Sequence, residues 1–156
     1  MTLALQFYDV LKFFHVLLAL VWVGGAVILQ VFAELALRSP MPGRAAAFAK
    51  EADFIGMKIF TPASILLLGV GLWLVHKGHW GYHFWTVGGL VGFAVSFVVG
   101  AGFLGPQAGK LATLIEANGP DAAVVKARVR TIVSIARVDT AILLAVVFLM
   151  ATKLGQ

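Results

Sequence analysis

Residues 13–33, FFHVLLALVWVGGAVILQVFA, form an apolar stretch without a charged side chain. As an α-helix, which rises 1.5 Å per residue, such a stretch crosses the hydrocarbon core of a bilayer, which is ~30 Å thick. The whole chain has the same character: 61% of its 156 residues are hydrophobic, 12% are charged, and its mean hydropathy is +0.98. Soluble domains carry about 25% charged residues. The sequence therefore predicts an integral membrane protein.

Three further apolar segments extend this prediction to an all-α, transmembrane four-helix up-down bundle, with residues 1–156 in a single domain. The predicted spans cover approximately residues 10–36, 55–76, 84–104 and 131–152. Residues 140–152 alone are too short to cross a bilayer, so the fourth helix must begin earlier. Arg137 and Asp139 are therefore expected at or inside the membrane edge.

Proline and glycine predict where the helices are interrupted. Residues 38–43 hold two prolines and a glycine and are expected to form a turn. Gly105-Pro106 is expected to break the chain after the third span. Asn118-Gly119-Pro120-Asp121 is typical of a helix end followed by a new start, with Asp121 as the cap of the fourth helix.

The basic residues predict the orientation of the bundle. Nine of the twelve lie in the first and third connecting regions and three on the other side. The nine are Arg38, Arg44, Lys50, Lys58, Lys110, Lys126, Arg128, Arg130 and Arg137, and the three are Lys12, Lys77 and Lys153. Cytoplasmic loops of membrane proteins carry such an excess. Both termini and the second connection are therefore expected outside a bacterial inner (cytoplasmic) membrane, with the first segment a retained span and not a cleaved signal.

Composition excludes several classes of site. The chain has no cysteine, so it has no disulfide, no thiolate metal site, no iron–sulfur cluster and no covalently attached c-type haem. The net charge of +5 comes from residues that flank apolar segments. This placement is typical of a protein that contacts the lipid bilayer and argues against nucleic-acid binding.

The four histidines are predicted to lie at the outer end of the bundle. His15 lies in the apolar start of the first span, while His76, His79 and His83 surround the second connection. Imidazole is a common ligand of haem iron and copper. Axial ligation by His15 and His76, with His79 or His83 as substitutes, would hold a haem b. Copper bound by three histidines and Asp9 is an alternative, and so is a purely structural role for His15 at the membrane interface.

Two patterns inside the predicted bundle bear on packing and on charge. Gly88, Gly92, Ser96 and Gly100 share one face of the third span, which favours close helix packing and would also leave room for a porphyrin. A carboxylate at membrane depth is costly, so Glu34 and Asp139 need partners or a function. Arg137 and Lys58 are the candidate partners of Glu34. A structural ion pair and a role in proton relay or transport are the two interpretations.

The first span, from Phe14-His15-Val16-Leu17-Leu18 to Val21-Trp22-Val23-Gly24-Gly25, resembles the opening helix of CopD-like and HemJ-like membrane proteins. It is more similar still to an uncharacterised bacterial family of four-span proteins related to them. Thr61-Pro62-Ala63 with Gly69-Val70-Gly71-Leu72-Trp73-Leu74 has the same resemblance, as does the ending Met150-Ala151-Thr152-Lys153.

For HemJ-like proteins this resemblance implies a haem bound by the histidine of the first helix, which corresponds to His15 here. For CopD-like proteins it implies copper uptake. The lysine that HemJ-like proteins carry at the start of the third helix is replaced here by Trp85-Thr86-Val87-Gly88. The resemblance therefore does not imply protoporphyrinogen oxidase activity.

These observations predict a membrane protein that binds haem b and acts in electron transfer or as a haem-bearing subunit of a redox assembly. One alternative is a transporter of copper or of a small solute that uses the outer histidines as a capture site and Glu34 or Asp139 within the membrane. Another is a non-catalytic subunit whose glycine-rich helices bind partner membrane subunits or a second copy of the chain.

Overall fold

The computed structural model of the chain describes the backbone of residues 2–41 and 43–154, and the side chains from residue 7 onward within those ranges. Within this part of the chain the structure is all helical, without a strand, and it contains four helices long and apolar enough to cross a membrane. The predicted fold class is confirmed.

Each of the first three helices is continuous but contains one π-helical turn, in which hydrogen bonds join residues five apart. The first helix comprises Thr2–Ala19, the π turn Leu20–Gly24 and Gly25–Leu37. The second comprises Arg44–Ile55, the π turn Gly56–Phe60 and Thr61–Gly78. The third comprises Phe84–Val99, the π turn Gly100–Leu104 and Gly105–Asn118, and the fourth is Ala123–Thr152.

The predicted break at Gly105-Pro106 is wrong, because the third helix continues through it to Asn118. A proline inside a helix cannot donate its backbone hydrogen bond, and its ring clashes with the preceding turn. The π turn Gly100–Leu104 widens the turn just before Pro106 and so accommodates the ring. The second helix has the same arrangement, with the π turn Gly56–Phe60 just before Pro62.

The start of the fourth helix also differs from the prediction. The third helix ends at Asn118, and Gly119 follows with a positive φ of 80°, as expected for a terminating glycine. Asp121 does not cap the fourth helix, whose cap position is Ala122 and has no side-chain hydrogen bond. The Asp121 carboxylate instead lies 3.0 Å from the ammonium of Lys126.

Small residues let neighbouring helices approach closely. A methyl group added to Gly88 would lie 2.6 Å from Cδ2 of Leu149, so the small face of the third helix packs against the fourth. The side chain of Val146 occupies the space beside Gly92 in the same way. The packing interpretation of this face is therefore confirmed at Gly88 and Gly92, where side chains of the fourth helix occupy the space that a porphyrin would need.

Two apolar clusters hold the bundle together. The first, which we call the plug, lies within the bundle and consists of buried Trp22, Leu67 and Leu143 with the ring of Phe93, whose centroid is 5.1 Å from that of Trp22. The second joins the second, third and fourth helices near the basic connections. Its buried members are Ala46, Ala49, Leu111, Ala112, Ile115 and Val125. The end of the bundle that contains this second cluster is called the basic end, and the end with His76, His79 and His83 the histidine end.

The outer surface of the bundle suits lipid. Many large apolar side chains of the spans are exposed, such as Leu20 at 65% and Val98 at 66%, and apolar surface of this extent marks a protein that contacts something other than water. The aromatic residues at the histidine end are divided. Tyr82 is 98% exposed, but Trp85 is 7% exposed and packs edge-on against Trp80, so Trp85 belongs to the packed end of the bundle and not to an aromatic belt.

Candidate functional site: a cavity between the plug and the basic end

A cavity of about 340 Å³ lies between the plug and the basic end and is lined by all four helices. Most of its wall is apolar, and its aromatic members are Trp22, Phe48, Phe60 and Phe97. The polar side chains that line it are Gln30, Glu34, Thr61, Ser64, Arg137, Asp139 and Thr140. A concave, mainly apolar pocket with a few polar groups is the usual form of a small-molecule site.

The three π turns all contribute to this cavity. Trp22 comes from the turn in the first helix, Gly56 and Phe60 from the turn in the second, and Gly100 and Leu104 from the turn in the third. In the second helix, the carbonyl of Gly56 accepts the backbone N–H of Thr61 and also a hydrogen bond of 3.0 Å from the hydroxyl of Thr61. Since π turns inside α-helices are frequent at functional sites, three around one cavity mark it as the candidate site.

An ion pair stands at the mouth of the cavity, toward the basic end. Nη2 of Arg137 lies 2.7 Å from Oε1 of Glu34, and Arg38 lies 3.2 Å from the other carboxylate oxygen. The side chains of Glu34 and Arg137 are 37% and 63% exposed, so the mouth is reached from the basic end. The ion-pair interpretation of Glu34 is therefore confirmed.

Gln30 ties the first helix to the fourth one turn deeper. Its amide donates a hydrogen bond of 3.0 Å to the carbonyl of Ala136 and a second, shorter one to the hydroxyl of Thr140. These hydrogen bonds join the first helix to the fourth and fix the position of one relative to the other along the helix axis. The sequence analysis missed Gln30, although it interrupts an otherwise apolar stretch and could have been found as a polar residue at membrane depth.

Asp139 is the buried carboxyl group of the cavity. It is 7% exposed, and its Oδ1 has no hydrogen-bond partner among the residues that the structure describes. The hydroxyl of Ser96, on the third helix, lies beside the carboxyl group, and like Oδ1 it is buried and forms no hydrogen bond with the described residues. Asp139 belongs to none of the salt bridges formed by the described residues. The ion-pair interpretation therefore holds for Glu34 but not, within this part of the chain, for Asp139.

His15 lies on the far side of the plug, where the first helix crosses the second. A methyl group on Gly71 would lie 3.0 Å from Cε1 and 3.3 Å from Nδ1 of the imidazole, which also lies beside the backbone of Leu67. Nδ1 is buried and has no hydrogen-bond partner among the described residues. Gly71 thus provides the notch that accommodates this ring at the contact between the two helices.

The structure does not bring the other three histidines to His15. His76, His79 and His83 are all exposed, and the loop that carries the last two is not helical. His76 is five residues beyond Gly71, which places it about 140° further round the helix from the face that His15 contacts. Among the described residues no group of three or more histidine, aspartate or glutamate side chains could hold a metal ion.

The comparison with protein families concerns the whole bundle. A family of predicted integral membrane proteins, DUF2269, matches residues 9–154, which include all residues that line the cavity. The chain belongs to this family. The description of DUF2269 gives an integral membrane protein, which confirms the uncharacterised membrane family expected from the sequence, and the four apolar helices make the chain multi-pass. The relationship to CopD-like and HemJ-like proteins stays a prediction. No curated protein and no solved structure matches the chain.

Proposed function

We propose that this DUF2269 protein is a carrier that binds a small, mainly apolar solute in the cavity and moves it across the membrane. The observation that supports the proposal is the cavity itself, which combines apolar walls, a small number of polar groups and three π turns between the basic end and the plug. Its volume of about 340 Å³ lies at the lower end of the range for small-molecule pockets, so a compact solute fits and a porphyrin does not.

The plug gives this carrier a barrier. Trp22 and Leu143 belong both to the plug and to the wall of the cavity, so they separate the solute from the histidine end. The mouth at Glu34 and Arg137 faces the basic end. Transport then requires a second arrangement, in which the plug opens and the mouth closes. Minor states of this kind are commonly populated to about 0.1–10%.

Thiol labelling tests the carrier proposal without knowledge of the solute, because the chain has no cysteine of its own. In an Ala101→Cys variant the new thiol lies in the cavity wall. A charged, membrane-impermeant thiol reagent is expected to modify it rapidly in inverted vesicles and roughly 10- to 1,000-fold more slowly in spheroplasts, since access from the histidine end needs the minor state.

Val98→Cys is the matched control, because Val98 lies on the same helix but is 66% exposed on the lipid-facing surface. It is expected to stay unmodified in both preparations, since a charged reagent and a thiolate both avoid hydrocarbon. Modification of the cavity thiol from one side alone, or from neither side, would overturn the carrier proposal.

Haem binding by His15 is the second candidate function, and the specific observation in its favour is the buried, unpartnered Nδ1 of His15. The residues as packed do not fit a haem held between His15 and His76, because the imidazole of His15 rests on Gly71 and His76 is exposed on another face. Haem binding therefore needs another second ligand or a separation of the first and second helices.

An absorption spectrum of protein purified from haem-replete cells tests this candidate. Haem ligated by His15 predicts a Soret band that sharpens on reduction and is lost in His15→Ala, with His76→Ala as the matched exposed histidine. A folded, colourless protein rules out the candidate. A Soret band that persists in His15→Ala would instead show that the ligand is another residue.

A further inference from the structure

The carboxyl group of Asp139 lacks the cation that its position requires. It lies near the middle of the fourth helix, it is 7% exposed, and its Oδ1 is unpartnered among the described residues. A carboxylate in such a place costs free energy unless a positive charge or several hydrogen bonds accompany it. The hydroxyl of Ser96 supplies at most one hydrogen bond.

The residues around the cavity supply no such cation. The first helix contributes Glu34 to the lining, and the fourth contributes Arg137 and Asp139. Glu34 is paired with Arg137 at 2.7 Å and also with Arg38, which does not line the cavity, at 3.2 Å. The lining residues of the second and third helices have hydroxyl, apolar or no side chains, and none of them is ionisable. Among the described residues that line the cavity, Asp139 is therefore the charged group without an ion-pair partner.

We infer that the solute carries one positive charge, as a protonated amine on a small apolar body, and that Asp139 is its counter-ion. The inference rests on the proposed function and specifies its substrate class. The carboxylate accepts hydrogen bonds from the ammonium group, and the hydroxyl of Ser96, on the third helix, lies beside the carboxyl group. The apolar body lies against the aromatic rings of the wall.

The wall favours an amine over a metal ion. Trp22, Phe60 and Phe97 line the cavity, and aromatic faces attract organic cations within about 6 Å of the ring centre. Calcium needs six to eight oxygen ligands, and magnesium a complete octahedron. The cavity offers one unpaired carboxyl group, and no cluster of metal-binding side chains occurs in the described part of the chain. A monovalent ammonium group needs fewer ligands, and one carboxyl group with aromatic rings around it is sufficient to bind it.

Protection of the cavity thiol tests the charge of the solute. In the Ala101→Cys variant, benzylamine, which is protonated at neutral pH, is expected to slow modification from the basic end. Benzyl alcohol has nearly the same shape without the charge, and it is expected to protect at least about tenfold less well, because it offers the carboxylate a hydrogen bond but not the attraction between opposite charges.

The same measurement is made in the double variant Ala101→Cys, Asp139→Asn. In this variant the side chain at position 139 has lost its charge but kept its shape. Benzylamine is then expected to lose at least about tenfold in apparent affinity and to protect no better than benzyl alcohol. Melting temperature and gel filtration check that the variant is folded, and the comparison of amine with alcohol in the Asp139 background does not depend on that variant.

The outcomes separate the inference from the function on which it rests. Equal protection by amine and alcohol, unchanged by Asp139→Asn, would overturn the cationic solute and leave a cavity that binds neutral molecules. A cavity thiol that no reagent reaches would instead remove the proposed function itself. Protection by benzylamine that survives Asp139→Asn also contradicts the inference, because the cation would then be bound elsewhere.

Discussion

Replacing Trp22 by alanine is expected to lower the free energy of unfolding by about 3 kcal/mol and to open the plug. Trp22 is 7% exposed and packs against Leu67, Leu143 and Phe93. Large-to-small substitutions of buried aromatic residues cost about 3–5 kcal/mol in soluble proteins. The low end of this range applies here because lipid, unlike water, does not drive apolar side chains together. Most of the cost in free energy therefore comes from lost packing contacts.

Leu20→Ala is the matched control, since Leu20 lies in the same π turn but is 65% exposed to lipid. Its expected effect on the midpoint of thermal or detergent-induced unfolding is small. In the Ala101→Cys background, Trp22→Ala is also expected to speed modification of the thiol from the histidine end, because the plug then blocks less of the path to the cavity. An unchanged midpoint together with unchanged labelling would show that Trp22 does not close the cavity.

Replacing Gly25 by valine is expected to cost about 1–3 kcal/mol, the usual penalty for an overpacked contact. An added Cβ would lie 2.6 Å from Cε1 and 2.7 Å from Cζ of Phe60, whose ring lies against the glycine. The ring belongs to a π turn and to the wall of the cavity, so it can move away only by changing both. The first and second helices would be forced apart at this level.

Gly24→Val provides an unusually close control for this substitution. The two glycines are adjacent and have the same helical backbone conformation, but a Cβ on Gly24 would meet nothing within 4 Å. The β-branched side chain has the same effect on helix propensity in both variants, so the difference between their unfolding midpoints measures the contact with Phe60. Equal midpoints would contradict the packing described here.

The spans could be predicted from sequence because the lipid environment leaves few choices. A long run of apolar residues must be helical, since backbone groups in hydrocarbon can find partners only within the segment. Glycine and proline were less informative. Gly105-Pro106 was expected to end a helix, but neighbouring helices hold the chain helical and the proline is accommodated by a wider turn. The effect of a proline thus depended on tertiary contacts that the local sequence does not contain.

The candidate site could be predicted only in part. Asp139 was identified from sequence because a carboxylate within a span is rare. Glu34 was expected to lie near Arg137 or Lys58, and the structure pairs it with Arg137. The cavity could not be predicted, because its walls are ordinary apolar residues from four helices. In the structure, the three π turns that line the cavity mark it as the candidate site. A π turn has no residue pattern of its own.

The histidines show the opposite difficulty. Sequence placed His15 and His76 at the same end of the bundle, where a shared cofactor was a reasonable hypothesis. The direction of each side chain depends on the rotation of its helix, and that rotation is fixed by packing of His15 on Gly71. The sequence therefore predicts that two residues lie at the same depth in the membrane, but it does not predict that their side chains face each other.

The length of the helices has a practical consequence for imaging. Two of them contain 35 residues and so measure about 52 Å, whereas the hydrocarbon core is ~30 Å thick. About 20 Å of each helix therefore extends beyond the hydrocarbon core, and the second apolar cluster packs the helices together at the basic end. For a 16.6 kDa protein otherwise hidden in detergent, the short connections there are natural points at which to fuse a rigid soluble domain as a fiducial for electron microscopy.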